Sequence, residues 1–381
     1  LQHLEDRGVS PNVASFIGHE TVRIHELGYE NRQATPEELS RMQELVREAM
    51  REGALGIASA LIYTPGAYAD TDELIALAGA AGELGGIYAS HMRNEGDQVF
   101  EALEELITVA REANVPAEIY HIKLASTAMW DRFDELIATI EVARDEGLSI
   151  TADMYTYPAG STGLDALMPP GTTEGGEEAW IERLKDPATR ERSREGMLTP
   201  SPEWGNMYLP TRPEGVLLVQ FRNENLRKNI GKTLAEVAAG RGAHPADTAM
   251  DLVIEEGARG MAVYFSQSED VVRRMTAVPW VSFCTDAPAV AAEGSFLETS
   301  VHPRAYGSFA RLIARYVREE QVLSLEEAVR KLSALPAANL SLDSRGRLES
   351  GYFADVVIFD AETFRDHADY DDPHHYATGM K

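Results

Sequence analysis

One cysteine, Cys284, stands among 381 residues. No intrachain disulfide framework can form, and no zinc site can be built from several thiolates. That scarcity fits a reducing compartment, and a cytoplasmic setting is expected. Basic residues are also in deficit, with 35 Lys and Arg against 62 Asp and Glu, for a net charge of −27. There is no cationic excess to neutralise phosphates, so nucleic acid is excluded as a partner and a solvated acidic exterior is expected. No apolar run approaches the ~20 residues of a membrane span, so the chain is expected to be soluble, without a membrane partner. The opening LQHLEDRGVSPNV has no initiator methionine and none of the regions of a signal peptide, and it reads as the middle of something longer. No glycine-rich phosphate loop follows any strand-like run, and no G-x-S-x-G elbow occurs, which disfavours a dinucleotide fold and a serine hydrolase.

What is present is organised around Gly85 to Ser126. GGIYASH and AEIYHIK are short apolar runs, one closing at His91 and the other carrying His121. Between them Val99, Leu103, Leu106, Ile107 and Ala110 recur at helical spacing, until Asn114, Val115 and Pro116 stop the helix. The two histidines are thirty residues apart, about one strand-helix-strand step. They should therefore sit at equivalent positions on the carboxyl rim of neighbouring parallel strands. Paired imidazoles on rigid strands suit a zinc ion, and ordinary hydrogen-bonded histidines stay open as the alternative.

The same alternation runs through the first part of the chain. NVASFIGH reads as a strand, T-P-E-E at Thr35 opens a capped helix, ALGIASALIY is the next strand, and a second helix runs from Thr71 to Leu84. After the two-histidine unit come a helix from Asp131 to Glu146 and the strand of LSITADMYTYPAG. Strands alternating with helices, with polar groups at several strand ends, predict an α/β barrel rather than a doubly wound sheet. From Leu164 to about Met261 the rhythm changes to turns and charged helices, one expected over Ala179 to Arg194, which predicts an inserted lobe. AVYFSQ and PWVSFCTDA resume the strand pattern, and helices are expected over Ser308–Glu320 and Ser324–Leu335. RGRLESGYFADVVIFD reads as a small β element.

Asp286 ends a late strand. A lone strand-end aspartate commonly caps the next turn, but beside a metal it can bind the ion and shuttle a proton. With His91 and His121 at earlier rims, it points to metal-assisted hydrolysis. Lys123, two residues beyond His121, shares its face and suits a substrate carboxylate, though an exposed strand-end lysine is the common case. Tyr155, Ser161 and Tyr264 are candidate donors into the same mouth, with local backbone partners as the plain alternative. His19, His302 and Arg304 are further candidates.

ASHMRNEGD, YHIKLAS, ADMYTYPAGSTGL, SFCTDA, VHPRAYGSFARL and the closing SLEEAVRKLSALPAANLSLDSRGRLESGYFADVVIFD together resemble the N-acyl-D-amino-acid deacylases, or D-aminoacylases, of the amidohydrolase superfamily. The resemblance runs in order and spacing from about Asn12 to the end. It implies an incomplete metal-dependent (β/α)8 TIM barrel with an inserted lobe and part of a small β-sandwich. On that pattern, residues 1–163 hold barrel strands 3 to 7, 164–262 the lobe, 263–335 the end of the barrel with strand 8, and 336–381 part of the sandwich. It implies zinc as cofactor, with His91, His121 and Asp286 as ligands and Asp286 as the catalytic residue that takes a proton from the attacking water and returns it to the leaving amine. Lys123, Tyr155 and Ser161 would hold the carboxylate and scissile amide of a small N-acyl amino acid, and Tyr264 would line the side-chain pocket. Members usually have methionine where this chain has Gln267, which argues against a purely apolar pocket. Members also carry an H-x-H pair and a metal-binding cysteine on earlier strands. Neither is here, so the chain is expected to be a fragment of a longer gene product, binding metal weakly and with little activity. The alternatives are a dihydroorotase- or hydantoinase-like enzyme, which would want a lysine at the end of ALGIASALIY and finds none, and an inactive scaffold. The oligomeric state is left open.

Overall fold

The computed structural model describes residues 2–201 and 204–381. Leu1 and residues 202 and 203, the latter two within the stretch of turns and charged helices expected from Leu164 to about Met261, lie outside them. Among the described residues the strands are β1 (Ile17–Gly18), β2 (Gly56–Ala60), β3 (Ile87–His91), β4 (Ala117–Ile119), β5 (Ile150–Met154), β6 (Gly160–Gly163), β7 (Val216–Gln220), β8 (Met261–Tyr264) and β9 (Val281–Phe283).

β1, β2, β3, β4, β5 and β9 form one parallel sheet in that order, with no reversal. Sequential neighbours with helical crossovers describe adjacent staves of a barrel wall, not a doubly wound sheet. Two helices of the arc start where their sequences say they should. Thr35 accepts from the Glu38 N–H while Glu38 reaches back to the Thr35 N–H, a reciprocal cap on Pro36–Arg51. Asp70 caps Thr71–Gly82 through the Glu73 N–H. The helix Val99–Glu112 buries Val99, Leu103, Leu106 and Ile107 against β4 and the helix Thr71–Gly82 and leaves its charged face outside. On the side of the sheet that faces the helices, Tyr88 of β3 bonds Ser59 of β2 at 2.8 Å, and Ser59 bonds Ser90 at 3.0 Å, so the buried hydroxyls satisfy one another.

β6, β7 and β8 form a separate antiparallel sheet, ordered β6-β8-β7. It anchors the lobe, whose own core is built from Trp180, Leu218, Phe221, Met250 and Tyr264. The lobe begins at Gly160 rather than after residue 163, and AVYFSQ does not resume the barrel: it closes the lobe, because Ala262 and Val263 pair with both β6 and β7. The helix expected over Ala179–Arg194 is two, Glu177–Arg183 and Pro187–Leu198. Asp186 caps the second and Pro187 has no N–H to continue the first. The helix expected from Ser308 starts earlier, at Arg304, and loosens into π-turns over Leu312–Glu319. The one expected over Ser324–Leu335 breaks at Ser333. In the last segment, Phe359 pairs with Met380 and Arg365 with Thr378, whereas Val356, Val357 and Ile358 are exposed and belong to no strand. No helix of the described residues is long and apolar enough to cross a membrane.

Candidate active site

β3 and β4 run side by side with Ser90 opposite Ile119, so the chain leaves both at the same rim. His91 is the last residue of β3, and His121 lies two residues past β4. His121 and Asp286, the latter three residues past β9, both adopt left-handed backbone conformations, with φ of 38° and 47°. Such a conformation in a residue with a Cβ costs of the order of 1–3 kcal/mol and persists only where surrounding contacts enforce it. At His121 the enforcing contact is visible: its N–H donates to Asp153 Oδ1 at 2.6 Å.

His91 Nδ1 lies 2.9 Å from His121 Nε2. On the far side of His121, Nδ1 accepts from the Lys123 ammonium at 2.6 Å, so the tautomer is set by a neighbouring donor. Glu95 closes the cluster. Its Oε1 is 2.5 Å from Lys123 Nζ and 3.1 Å from His121 Nδ1, and its Oε2 is 3.5 Å from His91 Nε2. His91, Glu95 and His121 each offer one donor atom, all within 4.8 Å of one another.

Burial pushes the His91 imidazole down to about 3, against the opposing pull of Glu95. It is therefore neutral at ordinary pH, the charge state in which an imidazole binds a metal. Burial works to raise the Glu95 carboxyl, but His91, Lys123 and His121 outweigh it and hold the group below the usual carboxylate range. His91 Nε2 is buried and makes no hydrogen bond. A buried imidazole atom without a partner, a second imidazole and an ionised carboxylate form a donor set that fits a zinc ion.

The cluster lies in a cavity of about 350 Å³ whose wall includes Tyr63, Lys123, Tyr155, Ser161, Asp286 and Arg304. Asp286, expected as both ligand and proton carrier, lines this cavity but is outside the close three-donor set. Its Oδ2 pairs with Arg304 Nη1 at 2.7 Å. Arg304 also stacks over the Tyr155 ring at 4.5 Å, with Lys123 Nζ 5.8 Å from the same ring. Ser161 reaches the cavity wall, but its hydroxyl donates to Ala262 O at 3.0 Å, within the lobe sheet. Tyr264 is not brought to the cavity: it is fully buried in the lobe core and donates to Gly163 O at 2.8 Å. His302 bonds Ala159 O at 2.9 Å, and His19 is buried against Glu73 at 2.8 Å. Cys284 is held next to Asp153, where burial raises its thiol well above the usual range.

Two carboxylates of the cavity wall escaped the reading of the sequence. Glu95 stands four residues after His91, in a turn that Asn94 builds by accepting from the Gly96 and Gln98 N–H groups. The signal was there as H-x-x-x-E followed by Gly-Asp, a short turn that folds a carboxylate back toward the strand end. Glu20 also lines the cavity, anchored by the Ala60 N–H at 2.6 Å.

Residues 223–379 match the sequence profile of the Amidohydrolase family. An N-acyl-D-glutamate deacylase of Alcaligenes xylosoxydans xylosoxydans is 34% identical over 370 residues, covering 97% of this chain and 64% of the relative. A D-aminoacylase of the same organism is 33% identical over 382 residues, covering all of this chain and 67% of the relative. The crystal structure of an N-acyl-D-glutamate deacylase from Bordetella bronchiseptica, complexed with zinc and a phosphonate mimic of the tetrahedral intermediate, superposes with a TM-score of 0.81 at 29% identity. It is covered over 69% of its length by the whole of this chain. The chain thus spans about two thirds of the length of the curated relatives it matches.

Proposed function

Since the chain belongs to the D-aminoacylase family of amidohydrolases, we propose that it serves the zinc-dependent hydrolysis of the amide bond of N-acyl-D-amino acids, releasing a carboxylate and a D-amino acid. The observation that carries this reading is the convergence of His91, His121 and Glu95 on one point of a cavity that Asp286, Lys123 and Tyr155 also line.

His91, His121 and Glu95 would hold the metal. A bound zinc ion would polarise the acyl carbonyl and acidify the attacking water. Asp286 is the proton carrier: its carboxylate, oriented by Arg304, takes the proton of the water and passes it to the departing amine. Lys123, Arg304 and the Tyr155 hydroxyl offer cationic and neutral donors to the carboxylate of the amino acid. The lobe covers one side through Met207, Ser161 and Thr162, which limits the water that can enter. The lone cysteine supports a reducing, cytoplasmic setting for this chemistry.

The test is a zinc titration by calorimetry, followed by assay of the zinc-loaded protein against a panel of N-acetyl-D- and N-acetyl-L-amino acids. Weak zinc binding and slow hydrolysis of D substrates are expected, with Asp286→Asn lowering kcat by about 10²–10⁴-fold further at unchanged zinc content. Hydrolysis of the L forms alone, or full activity in the Asp286→Asn protein, would overturn the assignment.

A further inference from the structure

Gln267 is absent from the cavity wall, yet its side-chain amide donates to the Tyr155 hydroxyl at 2.8 Å. Its backbone N–H donates to Pro158 O at 3.3 Å, so the segment just past β8 is pinned to the segment just past β5. A carboxamide NH₂ can only donate, and a phenol has one proton. With the Gln267 amide already donating to the oxygen, the Tyr155 proton must point elsewhere. Among the described residues, none accepts it. The hydroxyl is packed against Gly160, where an added Cβ would come to 3.4 Å of the oxygen. Tyr155 is itself 3% exposed and lines the cavity. Burial raises its phenol far above the usual range, so the proton stays on.

We propose that Gln267 is a positioning residue that sets the polarity of Tyr155, holding the phenol as a hydrogen-bond acceptor on its outer side so that its proton is aimed into the cavity as a donor to a substrate carboxylate. The inference rests on the reading of the cavity as an N-acyl-amino-acid site, and it adds a reason for a polar residue at this position. Lys123 and Arg304 flank the same ring and carry only donors. A phenol turned the other way would set an oxygen lone pair beside the incoming anion and oppose both cations. Gln267 thus makes the third group agree with the other two.

Gln267→Glu tests this, because a carboxylate of nearly the same shape accepts where the amide donated, and the Tyr155 proton would turn outward to meet it. Three readouts are taken on the full chain. The tyrosine ring doublet in ultraviolet resonance Raman, isolated by subtracting the spectrum of Tyr155→Phe, reports whether the hydroxyl accepts or donates and needs no activity. It is expected to show an acceptor in the native protein and a donor in Gln267→Glu. Affinity for N-acetyl-D-glutamate by calorimetry on the zinc-free protein, and KM with zinc, are expected to weaken by about ten- to a hundredfold, the scale of one lost hydrogen bond to a charged group, with kcat little changed. In a Tyr155→Phe background the Gln267→Glu change is expected to add nothing. A donor signature in the native protein would overturn the proposal, as would an equal loss of affinity in both backgrounds or a loss confined to kcat. If the native protein binds the ligand but hydrolyses none of the panel, the proposed function fails while the polarity inference is still decided by the doublet and the affinity.

Discussion

The parallel arc and the inserted lobe are each built on strands and each bury a core, yet the three-donor set comes from the arc alone. Direction explains the difference. In the arc every strand points the same way, so β3, β4 and β9 release their chains at one rim and His91, His121 and Asp286 converge without long reaches. In the lobe, β8 runs against both β6 and β7, so strand ends alternate between two edges and side chains at successive ends are carried apart. The lobe can supply a wall, through Ser161, Thr162 and Met207, but the carboxyl end of β8 lies at the edge opposite those of β6 and β7, so its three strands do not deliver their ends to one rim. Tyr264 shows the consequence: on the central antiparallel strand, its ring is spent on the lobe core.

This comparison can be attacked where the expected effect is largest. His121→Ala removes one of the three proposed ligands from the arc and should weaken zinc binding by more than the ~100-fold typical of an outer-sphere change, measured by competition with a chelator. An unchanged affinity would mean that the rim does not hold the metal. A smaller effect is expected from the lobe. Trp180 is 2% exposed at its centre, and Trp180→Ala should cost about 3–5 kcal/mol in thermal or urea unfolding while leaving zinc affinity in the folded protein as it was. A parallel loss of zinc affinity would show that the two cores act as one.

A third test sits below the rim. Burial, reinforced by nearby Asp153, pushes the Glu118 carboxyl on β4 up to about 8. The folded state therefore keeps a proton that the unfolded chain gives up near 4.5, and the stabilising contribution, complete below that value, is lost as pH rises through about 8. Glu118→Gln should remove this part of the slope, so that denaturation midpoints between pH 5 and pH 8 differ less than in the native protein. An unaltered slope would show that Glu118 is ionised inside the arc.

Much of the arc was legible in its amino acids because periodicity records burial. The apolar runs of β2, β3 and β5, the helix positions from Val99 to Ala110, and the caps at Thr35 and Asp70 each obey a local rule that tertiary contacts did not override. The pairing of His91 with His121 followed from one strand-helix-strand period. Glu95 did not follow, because it sits in a turn where no periodicity operates and only the Asn94 side chain decides which way the carboxylate folds. Arg304 was harder still. It opens a helix eighteen residues after Asp286, and nothing local announces that the two will meet. The lobe misled at its edges for a related reason: an apolar run such as AVYFSQ reads the same whether its neighbours are parallel or antiparallel.

The left-handed backbone at His121 and Asp286 constrains anyone who would redesign this rim. Asparagine and glycine tolerate that conformation at little cost, whereas a β-branched replacement would fight it before any question of chemistry arose. A library that varies these two positions freely would mix lost function with lost geometry. One that offers asparagine, aspartate and histidine keeps the bend and varies only the donor atom.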